Sequence, residues 1–225
     1  MRRFTNRTEA GRDLAGMLHG YAHRADAVVL ALPRGGVPVA CEVAEVLDVP
    51  LDVLAVRKLV LPGIDQYALG AITVGAPTID WRVADVLRVS DTAIDALIAR
   101  EAADLERRER LYRAGRAPLD VDGRTVIVVD DGLATGTTAV AAILALRKLH
   151  PARIVAATPV ASREAQESVR RVADACIVAY TPPRLYTLGL WYEDFSPVTD
   201  ADVLKLLRGS DSWRLAPAAG LFAHA

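Results

Sequence analysis

The chain has 225 residues, of which 52% are hydrophobic, and its formal net charge is −1 at pH 7. This length and composition predict one α/β domain with an ample core. The balanced charge excludes a general electrostatic attraction to nucleic acid or anionic membranes, so we expect neither as a partner.

Targeting and metal-binding signals are absent from the sequence pattern. No apolar run approaches the ~20 residues needed to span a bilayer, and the first residues lack an apolar signal core. Cys41 and Cys176 lie far apart in apolar segments, which favours free thiols and reducing conditions. The cysteines and histidines have no metal-ligand spacing. We therefore expect a cytoplasmic protein.

The first half of the chain predicts helices and strands in alternation. Periodicity indicates a helix over 8–20 with Thr8 as candidate cap, a strand over 26–32, a helix over 37–47 and a strand over 51–56. A loop is predicted over 59–68. Short strands over 71–74 and 78–81 would form a small antiparallel excursion.

The second half continues this alternation. Ser90 is predicted to cap a long helix over 91–114, which Gly115 ends, and Thr199 to open a last helix that reaches 207 through a capping box. Between them we predict strands over 125–129, 153–158 and 175–180 and helices over 137–149 and 163–172. Short connections between such elements predict a doubly wound, mainly parallel sheet. We expect one domain over 1–208 and a loose tail over 209–225.

Residues 126–138 are the most informative segment. Four β-branched apolar residues read as a strand buried on both faces, and Asp130 and Asp131 follow at its carboxyl end, where open α/β sheets bind ligands. A turn rich in Gly and Thr then leads into an Ala-rich helix. The amide groups ahead of a helix N-terminus attract phosphate. The segment therefore suits a phosphorylated sugar, although an Asp pair beside a Gly-containing turn can also be purely structural.

This thirteen-residue pattern resembles the phosphoribosyl pyrophosphate (PRPP) signature of the type I phosphoribosyltransferases. The resemblance, which covers about residues 8–208, implies that fold, with a small C-terminal hood that includes 181–197. It also implies that Asp130 and Asp131 bind the ribose hydroxyls. The turn that binds the 5′-phosphate would consist of Ala134, Thr135, Gly136, Thr137 and Thr138.

Two earlier segments resemble the leaving-group half of the same site. Pro33-Arg34-Gly35-Gly36 corresponds in position to the pyrophosphate loop, in which some family members hold a cis peptide; the alternative is a tight strand-to-helix turn. Arg57-Lys58, predicted to end the second strand, resembles the entry to the catalytic loop of adenine and orotate phosphoribosyltransferases, where the cations bind pyrophosphate. The alternative for this pair is an exposed basic dipeptide.

The predicted loop after Lys58 departs from those relatives, because residues 59–81 contain no further Lys or Arg. Loop closure or charge neutralisation would then be weaker. An alternative source of cations is the long helix, in this subunit or a partner, with candidates Arg107, Arg108, Arg110 and Arg113.

Aromatic residues concentrate in 180–195, which holds five of the chain's twelve. By the resemblance, Trp191 or Tyr192 of the hood would stack on a nucleobase, with Tyr186 as a less supported candidate. A packed cap over the sheet edge is the alternative. The 6-oxopurine enzymes carry an Asp at the position of Ala134, which counts against hypoxanthine or guanine as the acceptor.

The resemblance implies a phosphoribosyltransferase that transfers the phosphoribosyl group of PRPP to an unassigned nitrogenous base and releases pyrophosphate. Asp130, Asp131, Arg57 and Lys58 would carry the reaction. Mg²⁺ would be held by substrate oxygens, and on the protein by Asp130 and Asp131 at most, without a dedicated cage. A homodimer is expected by resemblance. The alternatives are a non-catalytic PRPP or nucleotide sensor and a PRPP or nucleotide hydrolase.

Overall fold

The structure is a computed structural model that describes residues 3–61, 68–73, 76–79, 81–113 and 120–210. Among these residues, none of the helices is both long enough and apolar enough to cross a membrane. The helices are α1 Arg7–Met17, α2 Gly36–Leu47, α3 Trp81–Val86, α4 Asp91–Arg113, α5 Thr137–Arg147, α6 Arg163–Arg170 and α7 Asp200–Gly209, with short 3₁₀ helices at His19–Tyr21 and Leu188–Trp191.

Five parallel strands form the main sheet in the order β2-β1-β6-β7-β8. Helices α1, α2 and α7 cover one face, and α5 and α6 cover the other. The predicted doubly wound, parallel sheet is confirmed. The strands are β1 Ala27–Ala31, β2 Leu51–Val53, β6 Thr125–Val129, β7 Arg153–Val160 and β8 Ala175–Tyr180.

The strand order places a crevice between β1 and β6. The chain runs from β1 outward to β2, then returns to add β6 on the other side of β1, so the order reverses between these two strands. Ligands of open α/β sheets bind at such a switch point, outside the carboxyl ends of the strands. Both strands are buried along their whole length, which fixes the backbone on each side of the crevice.

A second, antiparallel sheet contains β3 Val56–Val60, β4 Ala68–Thr73 and β5 Ala76–Ile79. The predicted antiparallel excursion is therefore present, but the single strand predicted over 51–56 is wrong. The chain leaves the main sheet after Val53, and its last hydrogen bond there runs from the Leu54 amide to the Ala31 carbonyl at 2.9 Å. Residues 59–60 belong to β3 instead of a loop, and Trp81 opens α3 instead of ending a strand.

Helix ends follow the expected capping chemistry with one exception. The α1 cap is Asn6, whose side chain accepts from the Glu9 amide, so the prediction of Thr8 is wrong. Ser90 caps α4, and Thr199 with Asp202 forms the predicted capping box of α7. Helix α7 continues through Gly209 and Ser210 is buried, so these two residues belong to the folded body. Gly115 and the tail over 211–225 lie outside the described residues.

Candidate active site

Two adjacent carboxylates follow β6 at the edge of the β1/β6 crevice. Asp130 is half-buried and lines a cavity of about 200 Å³, whereas Asp131 is only 9% exposed and packs beside Gly35. Burial, followed by the charge of Asp131, raises the pKa of Asp130 well above its usual value, and the cation of Lys58 opposes the shift. Two carboxylates held this close attract hydroxyl donors or a cation.

The turn after the carboxylates forms the rest of the cavity. Gly136 has a φ of 73°, a left-handed conformation that favours glycine, and it begins α5. Ser162 Oγ donates to the Ala134 carbonyl at 2.8 Å and so fixes the turn against the end of β7. The structure brings all five residues of the predicted phosphate turn into one cavity. Among the described residues, those that line it are Lys58, Asp130, Gly132, Leu133, Ala134, Thr135, Gly136, Thr137, Thr138, Ala139 and Leu188.

The turn between β1 and α2 approaches the acid pair closely. A Cβ on Gly36 would lie 2.7 Å from the Val129 carbonyl oxygen, and one on Gly35 would lie 2.7 Å from Asp131 Cγ. Any side chain larger than hydrogen would therefore displace Asp131 or the turn. The peptide bond between Pro33 and Arg34 is cis. The turn thus lies directly against the acid pair, and its Gly36 amide donates to the Leu32 carbonyl at 3.1 Å.

Arg57 and Lys58 lie inside β3, so their side chains project to opposite faces of the second sheet. Lys58 lines the cavity, where burial lowers its pKa against the opposing effect of Asp130. Arg57 instead contacts α4, with Nη2 2.8 Å from Glu101 Oε2. The expectation that both cations project from one strand end is wrong, because the strand that carries them has already left the main sheet.

Four arginines and three carboxylates form a cluster, which we name the arginine cluster: Arg34, Arg57, Arg107 and Arg108 with Glu101, Asp104 and Asp200. Arg34 and Arg107 each approach Asp200 at 3.6 Å, on different carboxylate oxygens. Arg107 also contacts Asp104 at 3.0 Å, and Asp104 lies 3.2 Å from Arg57. Arg107 therefore connects the two arginines predicted to bind diphosphate.

The other cations proposed on α4 are also paired, Arg108 within the cluster and Arg110 and Arg113 outside it. Arg108 contacts Asp104 at 2.9 Å, Arg110 contacts the exposed Glu106, and Arg113 makes a bidentate pair with buried Asp52. Sequence reasoning missed the acidic partners of the arginine cluster, because Glu101, Asp104 and Asp200 have the composition of ordinary solvated helix surfaces.

Comparison with known proteins identifies the family. The family profile described as "Phosphoribosyl transferase domain" matches residues 71–181. The crystal structure of TT1426 from Thermus thermophilus is 39% identical, with a TM-score of 0.81 over 91% of this chain and 97% of that one. The chain belongs to the phosphoribosyl transferase domain family. The resemblance inferred from residues 126–138 is thereby confirmed, and with it the type I phosphoribosyltransferase fold.

Further relatives agree with this assignment. Two Mycobacterium tuberculosis proteins, provisionally named phosphoribosyl transferases, are 38% identical over 210 residues, which is 92% of this chain and 47% of each relative. The chain thus spans about half the length of these curated relatives. AQ2163 from Aquifex aeolicus, at 14% identity and a TM-score of 0.51 over 81% of this chain and 78% of that one, shares the fold.

The aromatic residues of this phosphoribosyl transferase domain are packed together. Trp191 is 4% exposed and Tyr192 is 1% exposed, and Trp191 lies against Tyr180 with ring centroids 4.8 Å apart. Stacking of Trp191 or Tyr192 on a base does not fit this packing, because both rings are buried. The segment contributes Leu188 to the cavity instead, where it packs on Gly132. Tyr186, by contrast, is exposed.

Arg7 is a site residue that the sequence analysis missed. Its Nε donates to Asp131 Oδ2 at 2.7 Å, and its guanidinium lies over the Phe195 ring with Cζ 3.9 Å from the centroid. An arginine in the first turn of an amphipathic helix carries no sequence signal for this role, since Asp131 is 124 residues away. Only the packing of α1 against α2, β7 and β8 brings them together.

The acid pair offers oxygen ligands for a metal but not a cage. Among the residues that the structure describes, no group of three or more His, Cys, Asp or Glu side chains could hold a metal ion. Each carboxylate has one engaged oxygen, because Asp131 Oδ2 accepts from Arg7 and Asp130 Oδ1 accepts from the Asp131 amide, and of the two residues Asp130 lines the cavity. Carboxylate oxygens are hard ligands that suit Mg²⁺ when a substrate supplies most of the coordination.

Proposed function

We propose that the protein is a phosphoribosyltransferase that transfers the phosphoribosyl group of PRPP to a nitrogenous base and releases pyrophosphate. One observation supports this above the others. A single cavity at the carboxyl end of β6 combines Asp130 of the acid pair, a glycine- and threonine-rich turn at a helix N-terminus and a lysine. A sugar that carries both hydroxyls and phosphates matches that combination.

The 5′-phosphate would bind the turn from Ala134 to Thr138, all five residues of which line the cavity. The ribose hydroxyls would donate to Asp130 and Asp131. The diphosphate would lie between Lys58 and the turn at Arg34, Gly35 and Gly36, with the arginine cluster behind it. Arg57 would act in that cluster, one layer from the cavity, because its side chain faces α4.

The charge distribution suits a transition state in which the bond from C1′ to the diphosphate oxygen breaks as a bond to the base nitrogen forms. Positive charge then develops on the sugar and negative charge on the departing diphosphate. Carboxylates beneath the sugar stabilise the positive charge, while Lys58 and Arg34 of the β1–α2 turn stabilise the negative charge. Such preoriented groups need little reorganisation during the reaction.

We propose that Mg²⁺ binds together with PRPP, held mainly by substrate oxygens, with Asp130 as its protein ligand and Asp131 nearby. The support is the donor set, because Asp130 places a hard carboxylate at the cavity, burial disfavours its charge, and Asp131 is the next residue. When bound, the ion neutralises diphosphate charge. By resemblance, we also propose that the protein acts as a homodimer in the cytoplasm.

Pyrophosphate release measured with PRPP, Mg²⁺ and a panel of purine, pyrimidine and other heterocyclic bases tests this function. We expect that bases of only one class stimulate the release of pyrophosphate. Release without any base would indicate a hydrolase instead. The absence of PRPP binding would overturn the assignment of the cavity.

A PRPP or nucleotide sensor is the second candidate function. The observation that favours it is the arginine cluster, because Arg34 and Arg57 already have carboxylate partners within the protein. A diphosphate must compete with those partners, which favours slow or absent transfer. Binding of PRPP without release of pyrophosphate under any base would support this candidate.

A further inference from the structure

We propose that Arg7 is a positioning residue, which fixes Asp131 for ribose binding and makes its orientation depend on the C-terminal hood segment, residues 181–197. This inference rests on the proposed function, because it assigns Asp131 to the ribose. The proposal concerns an arginine from the N-terminus of the chain, outside each of the segments that carry the PRPP signature.

Arg7 contacts Asp131 and the hood segment at the same time. Its side chain is only 11% exposed, and its Nε lies 2.7 Å from Asp131 Oδ2. Nη1 donates to the Ser196 carbonyl at 2.9 Å, and the guanidinium covers the Phe195 ring. One rigid, planar group thus joins the carboxylate to two residues of the hood segment.

Backbone hydrogen bonds join the residues before Arg7 to the hood segment. The Phe4 amide donates to the Trp191 carbonyl, and the Glu193 amide donates to the Phe4 carbonyl, both at 2.8 Å. The Asp194 amide donates to the Thr5 carbonyl at 2.9 Å. The residues just before Arg7 are therefore bound to the hood segment like a neighbouring strand. Movement of the hood segment would also move Arg7.

A second contact reaches Asp131 from the same segment. The Tyr192 hydroxyl donates to the backbone carbonyl of Asp131 at 2.5 Å. Arg7 therefore holds the side chain of Asp131 while Tyr192 holds its backbone. Both contacts come from the unit formed by the N-terminal residues and the hood segment. The position of this unit therefore determines where Asp131 presents the carboxylate oxygen that Arg7 does not bind.

The chemistry explains why an arginine fits this position. Asp130 and Asp131 repel each other when both are ionised, and a guanidinium beside one of them offsets that repulsion. The fork of Arg7 uses one nitrogen for Asp131 and another for Ser196, so one oxygen of Asp131 stays available to a ribose hydroxyl. A lysine at this position offers one ammonium centre and cannot reproduce the planar contact with Phe195.

The test compares Arg7→Gln and Arg7→Lys with Arg12→Gln. Arg12 is a matched control, because it lies on the same helix and pairs with Glu42 at the same 2.7 Å, away from the cavity. We expect Arg7→Gln to raise KM for PRPP by about tenfold or more, since a charge-assisted hydrogen bond to the ribose carboxylate is lost. The turnover number kcat should change less than KM. Arg7→Lys should recover part of the loss, and Arg12→Gln should stay within about twofold of the wild type.

A double-mutant cycle with Asp131→Asn separates positioning from general stability. If Arg7 acts through Asp131, adding Arg7→Gln to Asp131→Asn should change the Kd for PRPP by less than about twofold, because the shared interaction is already lost. Additive losses in the double variant would overturn the proposal. Equal KM values for Arg7→Gln and Arg12→Gln would also overturn it.

Amide hydrogen exchange keeps this inference distinct from the proposed function. In the free protein, Arg7→Gln should speed exchange at Glu193 and Asp194, whose amides bind Phe4 and Thr5, and Arg12→Gln should not. If the wild type fails to bind PRPP, the proposed function fails, while faster exchange in Arg7→Gln alone would still support the link to the hood segment. Unchanged exchange would overturn the link itself.

Discussion

The two halves of the candidate site are built in different ways. The half predicted for ribose and 5′-phosphate comes from one continuous segment, in which β6 ends, two carboxylates follow and α5 begins. The half predicted for diphosphate is assembled from the β1–α2 turn, β3, α4 and α7, with arginines already bound to carboxylates. The first relies on backbone geometry, and the second relies on side-chain charges that the fold brings together.

This difference has an energetic consequence for ligand binding. Backbone amides at the start of α5 have no carboxylate to release before they bind a phosphate. Arg34 and Arg57, in contrast, must exchange Asp200, Glu101 or Asp104 for a phosphate oxygen. The exchange lowers affinity, yet the carboxylates hold the cations in place when no ligand is bound. We therefore expect substitutions in the two halves to have opposite effects on binding.

The largest expected effect is in the first half. We expect Asp130→Asn combined with Asp131→Asn to weaken PRPP binding by about 100-fold or more, since two charged acceptors of buried hydrogen bonds are lost. Titration calorimetry with PRPP and Mg²⁺ measures this. Asp48→Asn is the control, because Asp48 is exposed and pairs with an exposed His23. Retained wild-type affinity in the double variant would contradict the ribose assignment.

The next prediction tests the close approach of the β1–α2 turn to the Asp131 carboxylate. We expect Gly35→Ala to reduce kcat/KM for PRPP by about tenfold or more, because the new methyl group must displace the Asp131 carboxylate and a small misplacement is costly in a preorganised site. Gly16→Ala is the control, since a Cβ there meets no atom within 4 Å. Equal activity of the two variants would mean that Asp131 can move without loss.

The contrast between the halves also explains what the sequence could reveal. The end of β6, the turn and the start of α5 were predicted to within two residues, because strand periodicity, glycine and a helix start are local signals. The position of Arg57 was predicted wrongly, because nothing local marks the point after Val53 where the chain changes sheets. Arg7 reaches its carboxylate partner across 124 residues of sequence, and Asp200 likewise meets Arg34 from the far end of the chain, so only the fold defines these contacts.

The burial of Trp191 and Tyr192 illustrates the same limit in the hood segment. A run of aromatic residues is consistent with either a base-stacking surface or a small core, and local pattern does not separate them. Phe4 decides the outcome, since it packs on Tyr192 from the other end of the chain. The aromatic residues of the hood segment therefore form a small core, from which Tyr192 contacts Asp131. Leu188 is the residue of this segment that lines the cavity.

In the diphosphate half of the site we expect a smaller effect of opposite sign, namely tighter binding of the ligand. Glu101→Gln removes the buried carboxylate that pairs with Arg57, so we expect it to tighten the binding of inorganic pyrophosphate by about threefold, as one competing charge is lost. Glu106→Gln is the control on the same helix, because Glu106 is exposed and pairs with exposed Arg110. Calorimetry with pyrophosphate and Mg²⁺ measures both. Weaker binding in Glu101→Gln alone would mean that Glu101 orients Arg57 for the ligand instead of competing with it.

The last expected effect concerns the stability of the free protein and its dependence on pH, instead of ligand binding. Burial and the charge of Asp131 raise the pKa of Asp130 above its unfolded value, so the folded state binds this proton more tightly than the unfolded state does. The cost of burying the charge is therefore fully present above the folded-state pKa and disappears as the pH falls through it. We expect Asp130→Asn to raise Tm at pH 8 by about 2–4 °C, the shift that about 1 kcal/mol produces in a domain of this size. The gain in Tm should shrink on acidification.

Asp131→Asn is the matched comparison and should lower Tm instead, because it leaves the guanidinium of Arg7 without its carboxylate. Thermal unfolding of both variants from pH 5 to 8 tests this, and a gain for Asp130→Asn that does not vary with pH would mean that the charge of Asp130 is not its source.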